Sequence, residues 1–149
     1  MKETRSFLEE SEDRAYILFL LKECLVQGNI KMMKLIFLTN YYYAKENNDL
    51  IFHYTFIRWH YGPYSNSIQN DINSLITSGL VQKGENNTYS LTEKGGEILG
   101  SLQTNLSSKK LEFIKGAINR LSSKSTNELL ELVHNLDELK SIKFGEHIQ

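Results

Sequence analysis

The residues best suited to recognition chemistry lie in one short stretch of the chain. Asn66, Gln69, Asn70, Asn73, Ser74 and Thr77 bring amides and hydroxyls to what reads as a single helix. An amide donates and accepts at once, which is what a bidentate contact to an adenine edge requires, and a hydroxyl serves either role. The cations able to reach phosphates stand outside the stretch: Lys31 and Lys34 well before it, Arg58 and His60 just ahead, Lys83 and Lys94 behind. Residues 28–64 hold four Lys/Arg against two acids, and residues 65–108 hold two against four. Neutralised phosphates supply most non-specific affinity, so a polar helix whose one charge is Asp71 starts at a disadvantage for nucleic acid.

A second group is aromatic: Tyr41, Tyr42, Tyr43, Tyr54, Trp59, Tyr61 and Tyr64. Exposed aromatic rings stack on bases or anchor protein partners, although most rings in a chain of this size belong to its core. Three successive tyrosines cover about 200° of a helix, so at least one reaches the surface. Tyr61 and Tyr64 flank a turn and form the expected partner-binding pair. Catalytic chemistry has little support. His53, His60, His134 and Cys24 lack the close pairing of a zinc site, and Cys24 sits among apolar residues, where a thiol behaves as a small hydrophobe. Phosphate loop, nucleophile elbow and paired-histidine motifs are lacking, so the expectation is a binding protein, neither an enzyme nor a holder of metal or cofactor.

The recognition stretch needs elements to carry it. Gly62-Pro63-Tyr64-Ser65 punctuates a turn feeding a helix that starts at Ser65 or Asn66, with Asn66 and Gln69 approximating a capping box. Ile68, Ile72, Leu75 and Ile76 lie on one helical face, and Gly79 ends the helix. Residues 80–83 and 88–91 then read as a hairpin around Gly84-Glu85-Asn86-Asn87, and Thr92 caps a further helix with Ile98, Leu99 and Leu102 facing in. Upstream, a helix from Ser11, acidic at its start, is apolar almost all round through Leu21, and a second runs from Lys31 to Ala44. Residues 50–59, aromatic and β-branched, predict a strand. Downstream, residues 109–121 form a helix, Ser125 with Glu128 caps another reaching about Leu139, and the chain after Lys140 reads as a loosely held tail. The order of helix, helix, hairpin and helix is that of a winged helix-turn-helix.

With the upstream residues included, the run Tyr61-Gly62-Pro63-Tyr64-Ser65, followed by Asp71-Ile72-Asn73-Ser74-Leu75 and Gly79-Leu80-Val81, resembles the YwgA-like proteins, a prokaryotic group similar in pattern to the Panacea antitoxin domain. The resemblance covers roughly residues 28–135, and its most specific element is the Tyr-Gly-Pro-Tyr-Ser run. It implies a fold more than an activity, because this fold serves DNA readers, antitoxins and interaction modules alike.

At 149 residues, 40% hydrophobic and 23% charged, the chain fits one domain. The formal charge of -1 gives no global pull toward nucleic acid or anionic membrane. One cysteine excludes an internal disulfide, the longest apolar run, Ala15 to Leu21, is too short to cross a bilayer, and no signal segment opens the chain, so a cytoplasmic location is expected. The expected fold is mainly α with a small β-sheet: a winged helix-turn-helix core over about 11–105 and a C-terminal helical extension over about 108–139 within a single domain of residues 1–149. The functional expectation is a DNA-binding transcriptional regulator. Asn66, Gln69, Asn70, Asn73 and Thr77 would face double-stranded DNA, Lys83, Lys94 and Arg58 its phosphates, and the C-terminal helices would join two copies as a homodimer. The competing expectation is an antitoxin-like or defence-associated module that uses Tyr61, Tyr64 and the polar helix against a protein.

Overall fold

The computed structural model describes residues 4–60, 62–136 and 145–148. Two helices form its centre. In α1 (Phe7–Glu23) every residue from Ala15 to Leu21 is buried, and in α2 (Asn29–Asn47) the same holds from Met32 to Asn40. A helix apolar on all sides can only lie in the middle of the molecule. Helix α1 touches α3 (Asn66–Thr77), α4 (Glu93–Leu102) and α5 (Ser108–Leu121), while α2 touches α5 and α6 (Thr126–His134). Edge-to-face ring pairs, Tyr16 on Phe52, Phe37 on Phe56 and Tyr43 on Phe113, tie these layers together.

Two small antiparallel sheets flank the helices. The first has the order β1-β5-β4, built from Val26–Gln27, Thr88–Leu91 and Val81–Lys83. Its β4–β5 hairpin pairs Val81 with Leu91 and Lys83 with Tyr89, as the two strand-like runs around residues 84–87 predict. The second has the order β3-β2-β6, from Gly62–Tyr64, Phe56–Trp59 and His147–Ile148. The molecule is thus mainly helical with small antiparallel sheets.

Several boundaries differ from the sequence expectation, each for a physical reason. Helix α1 begins at Phe7 because Ser6 and Glu9 form a reciprocal capping box. Asp13 therefore sits inside the helix, fully buried, and not in an exposed first turn. Of the expected strand 50–59 only Phe56–Trp59 joins a ladder. Backbone N–H groups of residues 51–53 are served by side chains: Asn40 Oδ1 accepts from Ile51 and Phe52 at 2.9 and 3.0 Å, Asn40 Nδ2 donates to Phe52 O at 3.1 Å, and Asp13 Oδ1 accepts from His53 N at 2.9 Å. These buried groups have partners without a neighbouring strand. Gly62-Pro63-Tyr64 is itself a strand, folded back so that Pro63 faces Arg58 at an edge, where its missing N–H costs nothing. Gly62 has φ +113, and a Cβ there would meet Lys34 Cε at 3.2 Å. In α4 Leu99 is buried, but Ile98 and Leu102 are each 38% exposed, contrary to the inward reading. Helix α6 ends at His134, short of Leu139; residues 137–144 lie outside the described residues, and the tail beyond them returns as β6, with Arg58 N donating to Glu146 O at 2.8 Å.

Candidate functional site

Helix α3 is held by its apolar side, with Ile68, Ile72 and Leu75 in the core, and by its stop, where Gly79 adopts φ +78 and Thr92 Oγ1 donates to Gly79 O at 2.6 Å. The strand-to-helix junction makes Ser65, 3% exposed, the N-cap. No side chain caps the helix there, so the Asn66–Gln69 capping box does not form. Asn66, Asn70, Asn73 and Thr77 are all exposed and share one face by helical spacing.

Gln69 is half-buried and set in a relay of hydrogen bonds that ends on Asn73 of that face. The Tyr89 hydroxyl donates to Asn29 Oδ1, Asn29 Nδ2 donates to Gln69 Oε1, and Gln69 Nε2 donates to Asn73 Oδ1 at 3.2 Å. The relay runs from Tyr89, 1% exposed, to the exposed Asn73 at the surface.

The one charge on α3 is not on its surface. Asp71 is 1% exposed and anchors the helix: Arg5 donates through Nη1 and Nη2 at 2.8 and 3.2 Å, Arg14 through Nε at 3.1 Å, and the Tyr54 hydroxyl at 2.6 Å. Arg5 also reaches Asp13 at 2.9 Å, whose other oxygen holds His53 through its backbone and, at 3.2 Å, its Nδ1. Burial alone would lower the Arg5 pKa, but hydrogen bonds and charge from Asp71 and Asp13 raise it. Burial pushes the Asp13 carboxyl up despite Arg5 and His53, and it pushes the Tyr54 hydroxyl well up, with the Asp71 charge adding to the effect. Tyr54 therefore stays a donor at neutral pH. The cluster borders a cleft of about 360 Å³ that Ser67 and Asn70 also line, yet its guanidinium groups are already spent on carboxylates. This cluster escapes a motif search. Its signal is positional, since Asp71 falls three after Ile68 and four before Leu75, on the apolar face where an ion must be paired.

The other expected cations are dispersed. Lys94 Nζ donates to Ser78 O at 3.2 Å, beside the end of α3, and Lys83 Nζ lies 5.9 Å from the Tyr89 ring centre on the hairpin. Arg58 is on β2, where it lines a separate pocket with Val133, His134 and Ile148. Lys34 is only 1% exposed, with Nζ 3.4 Å from Thr126 O, so it offers no charge to a ligand. Tyr64 is half-buried with its ring 6.4 Å from that of Trp59, and Tyr61 lies outside the described residues. Cys24 is half-buried with its thiol pushed up by desolvation, the opposite of activation. Among the described residues no three of His, Cys, Asp and Glu gather at metal-binding distance, and no helix is long and apolar enough to cross a membrane.

Neither curated proteins nor solved structures returned a match to the chain. The family model described as antitoxin SocA-like, Panacea domain, matches residues 32–138, from the first buried turn of α2 to beyond α6 and thus over α3, both hairpins and the Gly62-Pro63-Tyr64 turn. With well over half of its length matched, the chain belongs to the SocA-like antitoxin family of Panacea-domain proteins.

Proposed function

We propose that this protein is an antitoxin-type interaction module that binds a protein partner through the exposed face of α3 and the groove beside it, by binding and not by catalysis. One observation carries the reading beyond family membership. The α3 face is made of neutral amides and a hydroxyl, while the charge of that helix is buried and the nearby arginines are consumed in neutralising it. Such a surface suits the polar, uncharged contacts of a protein interface better than the phosphates of a duplex. Helices α5 and α6 spend their apolar faces on α1 and α2, so a homodimer through them would rest on polar outer surfaces. Affinity purification from cells, wild type against an Asn70→Glu/Asn73→Glu double variant, tests the reading. One stoichiometric protein should accompany the wild type and be lost from the variant. Retention of the same partner by the variant would remove α3 from the interface.

A second reading keeps α3 as the recognition helix of a winged helix-turn-helix that regulates transcription. What supports it is that α3 leads directly into the β4–β5 hairpin, with sheet order β1-β5-β4, while β2 and β3 separate α3 from α2. With so few free cations, non-specific affinity would lie near the weak end of about 10⁻⁴ to 10⁻⁶ M and fall only gently with salt. Lys83→Ala and Lys94→Ala would then weaken all duplexes alike, whereas Asn70→Ala or Asn73→Ala would reduce discrimination by about 1–3 kcal/mol. Absence of binding to any labelled duplex at low salt ends this reading.

A further inference from the structure

We infer that the groove running from Trp59 to the Asn86–Asn87 turn holds an extended, acid-bearing peptide segment of the partner. The inference rests on the protein-partner reading and names the chemistry of the contact. Two adjoining clefts make the groove, because Ile30, Met33 and Tyr64 line both. One, of about 200 Å³, is closed by Trp59 and Pro63; the other, of about 840 Å³, extends past Asn29 and Gln69 to Asn86 and Asn87.

The two ends offer different chemistry. At the first, Trp59 and Ile30 remain 42% and 41% exposed, large apolar surfaces that gain by being covered, and tryptophan is the side chain most often dominant at interfaces. At the second, Gln27, Asn29, Gln69, Asn86 and Asn87 present primary amides. Each carries the donor and acceptor of a peptide unit, so together they match an extended backbone. Two of these side chains are oriented in advance, and a turn fixes the backbone of two more. Asn29 and Gln69 are fixed by the relay from Tyr89, and Asn86 and Asn87 stand in the left-handed region at φ 57 and 59 within their turn. Engaging Asn29 and Gln69 then adds little side-chain ordering to the cost of binding.

Charge selects the occupant further. Among the described residues Lys31 is the one charged side chain on the lining of either cleft, its Nζ 2.8 Å from Ser122 O, and no Asp or Glu of them lines either. The Glu128 carboxylate that follows Ser125 is engaged at the Ser125 backbone N–H, 2.8 Å away. An acidic residue beside an apolar one is favoured, and a basic segment is not; a single lysine is too little for a nucleic-acid backbone.

Trp59 is the only tryptophan of the chain, so its fluorescence reports on the groove directly. The full chain is titrated with capped octapeptides in which leucine alternates with aspartate, with lysine or with serine. The aspartate peptide should shift Trp59 emission and bind about tenfold tighter than the lysine peptide, with serine between them. Ile30→Asp and Lys31→Glu should each weaken the aspartate peptide by about tenfold, and Lys31→Glu should turn the preference toward lysine. Ile30 and Lys31 are both partly exposed, so both variants should melt with the wild type, which thermal unfolding checks. Equal affinity for the three peptides, no response of Trp59 to any of them, or aspartate binding untouched in both variants overturns the inference. If the groove fails in this way while Asn70→Glu/Asn73→Glu still loses its protein partner, the partner reading stands and only the groove is wrong.

Discussion

Arg5 sits between two carboxylates that the core has withdrawn from water, and its removal leaves Asp13 and Asp71 buried with too little positive charge. Arg5→Ala should therefore cost about 3 kcal/mol, the scale for breaking a buried ion pair. Arg14, with 35% of its side chain exposed, is screened by solvent, and Arg14→Ala should cost about 1 kcal/mol or less. Chemical denaturation of both variants checks the order. Lys34 is the opposite case, a buried ammonium with one long hydrogen bond, and desolvation lowers its pKa. The unfolded chain then binds the extra proton between that lowered value and the ordinary 10.5, so this residue adds stability as pH rises through the window and withholds it below. Lys34→Met, which keeps the volume and drops the charge, should melt higher at neutral pH by about 1 kcal/mol of stability and lose that alkaline gain. Melting temperatures from pH 7 upward for both proteins decide it.

At the scale of elements, the β2–β3 turn is the most constrained junction leading into α3. Gly62→Val places a branched side chain at φ +113 against Lys34 and Leu130, and should cost about 2 kcal/mol. For a chain of this length that lowers the melting temperature by roughly 4–8 °C, and a variant melting with the wild type would show the turn to be unstrained. Elements with their own local signals were legible in the sequence: the apolar run of α1, the Gly79 stop, the hairpin and the Ser125–Glu128 box. Of the strand expected over 50–59 only the last four residues form one, because residues 51–53 are held by two side chains, Asn40 and Asp13, of helices α2 and α1. The candidate site was legible in part for the same reason. Periodicity places Asn66, Asn70, Asn73 and Thr77 on one face, but nothing local reveals that Gln69 turns to Asn29, that Lys34 is buried, or that Arg5 reaches across to Asp71.

At the scale of the molecule, helix α3 is held from both sides. From the α1 side Arg5 and Arg14 fix it through Asp71, and from the α2 side Asn29 fixes it through Gln69. The close approach of Gly95 to the hairpin completes the mount, since a Cβ there would lie 2.1 Å from Leu80 O. If α3 is the interface proposed above, it should bind with little rearrangement, and substitutions in the mount should weaken binding as well as those on the face.

Helix α1 lies wholly outside the span matched by the family model, yet it is a wall of the core and the source of Asp13 and Arg14. The matched span is therefore shorter than the stretch of chain that builds the core. Residues 32–138 expressed alone would expose the sides of α4 and α5 that α1 covers and leave Asp71 without either arginine, so they should show no cooperative unfolding transition by circular dichroism. Adding residues 4–31 as a separate peptide should restore the transition, which would make this helix an exchangeable part, supplied in cis here and open to supply in trans.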